Sequence, residues 1–139
     1  APMTDPDLHL LIDGRRHDPI ARAGSRHGFL LPRGTTAARL VSRHAIPAEV
    51  TALPGDRRRL GVAIRRLVFR DTHQLWDIPA DHPDLTSGWH QAESDARGVW
   101  RWSMGDATIP VPAADAPMLL EIHLGPATAY PAPVSALAA

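Results

Sequence analysis

Fourteen prolines and ten glycines are spread through the 139 residues and leave few windows long enough for a helix. Proline removes a backbone donor and glycine is costly to order, so both interrupt regular structure. A chain broken this often favours short strands joined by turns. Its 44% hydrophobic and 22% charged residues are those of an ordered globular domain. At this length folding buries roughly two-thirds of the unfolded chain's surface, so a core needs no covalent staples. There is no cysteine, which excludes disulfides, Cys-ligated zinc, iron–sulfur clusters and a Cys nucleophile.

Alternation of apolar residues marks eight strands. Residues 7–13 place Leu8, Leu10 and Ile12 on one face, and Gly14 ends the run. Residues 26–31 and 38–42 follow, the second with Ala38 and Leu40 on one side. Residues 60–70 are the longest candidate. Leu60, Val62 and Ile64 share one parity and Leu67 and Phe69 the other, so a β-bulge at Arg65-Arg66 would keep both sets inward. A helix also fits this run, but its β-branched residues and poor N-cap favour the strand. Residues 74–78 form a short strand. Residues 99–104 carry Trp100 and Trp102 on one face, and Gly105-Asp106 reads as a two-residue hairpin turn into Ala107, Ile109 and Val111. Residues 118–124 close the set with Met118, Leu120, Ile122 and Leu124 inward. The expectation is an all-β domain, a β-sandwich or jelly roll of about eight short antiparallel strands spanning residues 1–124. An Ala/Pro-rich tail or linker follows over residues 125–139.

The zero net charge conceals a division. Every one of the 15 basic residues is arginine. Residues 1–70 hold 13 of them against six acids, which leaves +7; residues 71–139 hold two against nine acids, which leaves −7. Complementary halves suggest head-to-tail association of copies. The competing arrangement has the halves neutralising each other inside one sandwich. Arg57, Arg58, Arg59, Arg65, Arg66 and Arg70 suit an anionic partner. The neutral total and the lack of a recognition helix argue against nucleic acid, and no apolar run approaches the roughly 20 residues of a membrane span.

Chemistry-bearing residues concentrate in residues 77–93, with Asp77, Asp81, His82, Asp84, His90 and Glu93. Carboxylates in a sandwich-end loop suit Ca²⁺, but the spacing is not that of an EF-hand, and His90 with Glu93 alone is a weak zinc signal. Turn chemistry explains the same residues, so the metal question stays open. Trp89 follows Ser87-Gly88 in this polar loop and offers a ring face for stacking on a sugar. The candidate ligand-binding set is therefore Trp89, His90, Glu93, Asp81 and Asp84. The eight histidines are scattered, and neither a nucleophile elbow nor a catalytic set is present. No enzymatic activity and no cofactor are expected.

Five segments in order carry a resemblance. They are Asp7-Leu8-His9-Leu10-Leu11-Ile12-Asp13-Gly14; Arg39-Leu40-Val41-Ser42-Arg43 with Ile46-Pro47-Ala48-Glu49; Asp56-Arg57-Arg58-Arg59-Leu60-Gly61-Val62-Ala63; Gly88-Trp89-His90-Gln91-Ala92-Glu93; and Trp100-Arg101-Trp102-Ser103-Met104-Gly105-Asp106-Ala107. Together they resemble a β-rich domain at the end of some bacterial proteins that carry a Hint (hedgehog/intein-type) self-processing domain. The Gly-Trp-His and Trp-Arg-Trp pieces are also similar to β-sandwich accessory segments of bacterial polysaccharide-handling proteins. The resemblance implies a companion of the processing machinery, since the chain has no Cys and its first Ser is Ser25. The expected role is a non-enzymatic association or assembly module of a secreted or cell-surface bacterial protein. Its partner would be itself or another protein surface. The alternative is a carbohydrate-binding module that uses Trp89 and the loop of residues 77–93.

Overall fold

The computed structural model describes residues 3–50 and 55–132. Its strands are β1 (His9–Ile12), β2 (Arg15–His17), β3 (Ala21–Ala23), β4 (Arg26–Leu31), β5 (Ala37–Val41), β6 (Ala63–Arg70), β7 (Leu75–Pro79), β8 (Glu93–Asp95), β9 (Gly98–Trp102), β10 (Asp106–Pro110) and β11 (Met118–Leu124). A single turn of helix, α1 (Pro47–Val50), follows β5. The all-β expectation holds, with eleven strands in place of about eight. The three additions, β2, β3 and β8, are three residues each and mostly exposed, so no apolar alternation announces them. Asp13 and Gly14 both take positive φ and turn β1 directly into β2.

The strands form two antiparallel sheets. One has the order β10-β5-β1-β2, the other β3-β4-β11-β6-β9-β8, with β7 also paired to β6. Leu10, Ile12, Leu40 and Ile109 from the first sheet meet Phe29, Leu31, Leu67, Phe69, Leu120 and Ile122 from the second in one core. Full burial of each large side chain stabilises by about 1.5–3 kcal/mol. This core is what makes the two sheets a sandwich.

Strand β6 organises the larger sheet. Leu67 pairs with Ile122 of β11 on one side and Ile78 of β7 on the other. Further back, Ala63 and Ile64 pair with Trp102 and Arg101 of β9. His123 faces Arg66 but Leu124 faces Ile64, so Arg65 is the extra residue of a bulge. The parity change is thereby absorbed where the sequence placed it, and Ile64, Leu67 and Phe69 all point into the core.

The expected hairpin at Gly105-Asp106 does not form. Strand β9 belongs to the larger sheet, whereas β10 pairs with β5 of the smaller one, Ala107 facing Leu40 and Ile109 facing Ala38. The chain crosses between sheets at Ser103–Gly105. Alternation on both sides of a turn is the same for a hairpin and for a crossing, so local pattern does not separate them. Trp102, as a result, leaves the main core and packs with Leu60 and Ala63 in a small separate cluster. Trp100 is only half-buried beside it, with the Arg65 guanidinium 5.9 Å from its ring centre.

Of the stretch from Gly125 onward, residues up to 132 are described and residues 133–139 lie outside the described set. Tyr130 is buried and exchanges two backbone hydrogen bonds with Met3, of 2.7 and 2.8 Å. Its hydroxyl donates to the Gly61 carbonyl at 2.7 Å. Burial pushes the phenol up to about 12, so the folded state holds its proton after the unfolded chain, near 10, has begun to lose it. The stabilisation is complete below pH 10 and fades as pH rises toward 12. Tyr130→Phe is expected to cost about 1 kcal/mol at neutral pH through the lost hydrogen bond. It should also remove this part of the alkaline loss; urea midpoints of both proteins at neutral and alkaline pH check both effects.

Candidate functional site

The structure distributes the five expected ligand residues over four places. Trp89 is buried in the main core, 6% exposed, and its indole N–H donates to the Thr108 carbonyl at 2.8 Å. The stacking face expected of it is closed off. The cause is Gly88, whose φ of +84° lets the loop backbone press against β10: a Cβ there would sit 2.1 Å from the Asp106 carbonyl oxygen. A Gly-Trp pair in a polar loop looks exposed in sequence, but here the glycine permits the close approach that lets the ring bury.

His90 and Glu93 lie on a second flank, beside the arginine-rich segment before β6. The His90 Nε2 is 2.7 Å from the Arg59 carbonyl. Arg58 bridges Asp56 at 2.6 Å and Glu93 at 3.2 Å. Asp56 also accepts from the Arg58 backbone N–H, and these bonds bring its carboxyl down to about 2. The stabilisation is present above the ordinary value of 3.8 and is lost as pH falls through about 2.

Asp84 alone joins a concave site. A groove of about 540 Å³ runs between β7, the 82–84 loop and the Pro110–Ala113 segment. Trp76 and Ile78 share the inward parity of β7. Trp76 pairs with Phe69 in register, packs against the core and also lines the groove. Val111 and Pro112 form the facing apolar wall, Gln74, His82 and Asp84 supply polar side chains, and Asp77 borders the groove. Asp77 is held by an Arg66 fork. His82 Nδ1 accepts from the Asp84 backbone N–H at 3.1 Å. The loop is anchored from below: Arg101 of β9 donates to the carbonyls of Leu85 at 2.7 Å and His82 at 3.3 Å. Asp81 is exposed and outside the groove wall.

This arrangement offers one aromatic ring, an apolar wall opposite and hydrogen-bonding groups of both kinds. Sequence reasoning placed Trp76 on a strand without a ligand role, because the wall that makes it a site comes from residues more than 30 positions away. A depression of about 590 Å³ near His44 and Ala132 is larger but has no Trp, Tyr or Phe in its wall. Among the described residues no three His, Asp or Glu side chains come together to hold a metal ion.

The opposite charges of the two halves meet within the molecule. Arg39 pairs with Asp106, Arg58 with Glu93, Arg66 with Asp77, and Arg26 and Arg70 with Glu121. Strand pairing produces most of these pairs. Comparison with protein-family models, curated proteins and solved structures gives no match.

Asp56→Asn is expected to destabilise near neutral pH by no more than the about 0–1 kcal/mol of an exposed pair. The deficit should shrink as pH drops from 3.8 through about 2, which denaturation curves across that range would show.

Proposed function

We propose that this chain is a non-catalytic glycan-binding module that takes a neutral sugar chain in the Trp76 groove. The resemblance to Hint companions and polysaccharide accessory segments supports its place in a secreted or surface-associated bacterial protein. The observation that carries the reading is Trp76 beside Gln74, His82 and Asp84 in an open groove. A sugar presents C–H faces and hydroxyl edges. The indole takes the face, and the Asp84 carboxylate, the amide and the imidazole take the edge. An open groove rather than a closed pocket suits the interior of a chain better than a free monosaccharide.

The test begins with a glycan array and continues with Trp fluorescence titration of the best oligosaccharide. Trp76→Ala should weaken binding at least about tenfold, roughly 1.4 kcal/mol. Trp76 also contacts the core, so Asp84→Ala and Gln74→Ala, at exposed positions, provide variants that leave packing intact. An array with no hit, or a hit whose affinity all three variants preserve, would contradict the reading.

A second reading, an association module, has its own observation. The outer face of the larger sheet carries the register row Leu30, Leu119, Arg70 and Leu75, in which Leu30 is 52% and Leu75 60% exposed. This face is the surface such association would use. Sedimentation that is concentration-dependent in the native chain and not in Leu30→Glu/Leu75→Glu would support it.

A further inference from the structure

Asp77 lines the Trp76 groove although its carboxylate is engaged by Arg66 on the outer face of the sheet. What it presents to the groove is its backbone. The register of β6 and β7 fixes the direction in which that backbone points. The Asp71 N–H donates to the Gln74 carbonyl at 3.1 Å and the Ala80 N–H to the Arg65 carbonyl at 3.0 Å. Bonded and non-bonded pairs alternate along an antiparallel ladder. Trp76 opposite Phe69 and Ile78 opposite Leu67 are therefore bonded pairs, and Leu75 and Asp77 turn their N–H and C=O groups away from β6. Both residues are exposed. Strand β7 pairs only with β6, and among the described residues no backbone bond reaches Leu75 or Asp77 from the free side. The edge of the larger sheet is open where the groove begins.

This free edge is short. The turn from Asp71 to Gln74 closes one end. At the other end Pro79 has no N–H, and its carbonyl accepts from the His82 N–H at 3.0 Å. Leu75 and Asp77 alone fall short of the roughly three to ten residues of an ordinary strand, so the edge suits a single amide better than an added strand. The opposite side of the groove sets a second requirement. Pro110 and Pro112 lack N–H groups, and Val111 and Pro112 present apolar surface. A plain hexose has one broad C–H face, which Trp76 takes in the glycan reading, and its remaining edge is hydroxyl. Val111 and Pro112 would then meet hydroxyl groups that they cannot match. An acetamido group supplies what is missing: a carbonyl to accept from the strand edge and a methyl to lie on the apolar wall.

We propose that the Trp76 groove selects sugars that carry an acetamido group, its carbonyl accepting from the Asp77 N–H and its methyl seated on Val111 and Pro112. The inference rests on the glycan reading of this groove and names the class of sugar within it. The acetamido group is uncharged, as a neutral sugar chain requires.

The experiment titrates ¹⁵N-labelled protein with sugars that differ in the acetamido group: tetra-N-acetylchitotetraose against cellotetraose, and N-acetylgalactosamine against galactose. Within at least one pair the acetamido sugar should bind at least about tenfold tighter, the combined effect of one hydrogen bond and one buried methyl. Its addition should also shift the Asp77 amide resonance. Asp77→Pro and Asp77→Ala both remove the pair with Arg66, and only the proline removes the N–H, at an edge position that tolerates it. The preference should fall about fivefold further in Asp77→Pro than in Asp77→Ala. Circular dichroism checks that the proline variant folds. If it does not, Val111→Ser should narrow the preference by itself. Equal affinities within both pairs, or an Asp77 amide that does not move, overturn the proposal, and plain sugars that still bind through Trp76 would leave the glycan reading standing without it. No binding by any of these sugars also overturns it, and a blank glycan array overturns the glycan reading as well. Tighter binding of acetyl-Val-Thr-Val-Thr-amide than of every sugar would mean that the edge takes a strand, which overturns the proposal too.

Discussion

The hydroxyl of Ser103 is the point on which the two sheets turn. It is buried, and it accepts from the backbone N–H groups of Val62 at 3.1 Å and Gly105 at 3.3 Å. Its own backbone bonds to Gly61 and Val62 at 2.8 Å each. These bonds hold the crossing from β9 to β10 against the entry to β6. The approach is so close that a Cβ on Gly61 would lie 2.4 Å from the Ser103 hydroxyl and 2.6 Å from the Gly105 nitrogen. Buried backbone groups at a corner have no ladder to satisfy them, so one side-chain oxygen supplies the missing acceptor. From this corner follow the pairing of β10 with β5, the contact of Met104 with Gly88 at 2.8 Å and the inward position of Trp89. The groove walls follow as well, since Pro110 ends β10 and Arg101 of β9 carries the 82–85 loop.

What was legible in the sequence was the local part. Leu8, Leu10 and Ile12 are buried where alternation put them, and the bulge at Arg65 falls where the parity of β6 changes. Both depend on neighbours along the chain, which a period-two pattern records directly. Strand partners do not leave such a record. The alternating runs around Gly105 fit either a hairpin or a crossing, and the outcome depends on β5 and β6, far earlier in sequence. The same limit applies to the site. Asp84 was visible because it sits in an acidic, turn-rich loop, whereas Trp76 acquires its groove only when the segment after β10 arrives beside it. Trp89 shows the converse: its neighbours Ser87 and Gly88 look like loop chemistry, yet the positive φ of Gly88 draws the indole to Thr108.

The arginine-only basic set has a structural meaning once the pairs are visible. Arg39, Arg58 and Arg66 each contact a carboxylate through more than one nitrogen. A planar fork permits this and an ammonium does not. On an exposed sheet face such pairs contribute little to stability, but they fix the direction in which each carboxylate points. Asp77 is held in this way by Arg66 on the outer face of the sheet, on the side of β7 opposite Trp76.

The antiparallel bridge between Met3 and Tyr130 places the two ends of the described chain side by side. Tension carried through residues 3 and 130 would therefore load the bridge perpendicular to its strands, in the manner of a zipper. Its two backbone bonds and the Tyr130 hydroxyl would part before load reached β1 or β11. The fold beneath would remain closed while this clasp opened. A clasp of this kind also means that residues 3–130 occupy one gap in any longer chain as compactly as a loop does, with entry and exit at a single point.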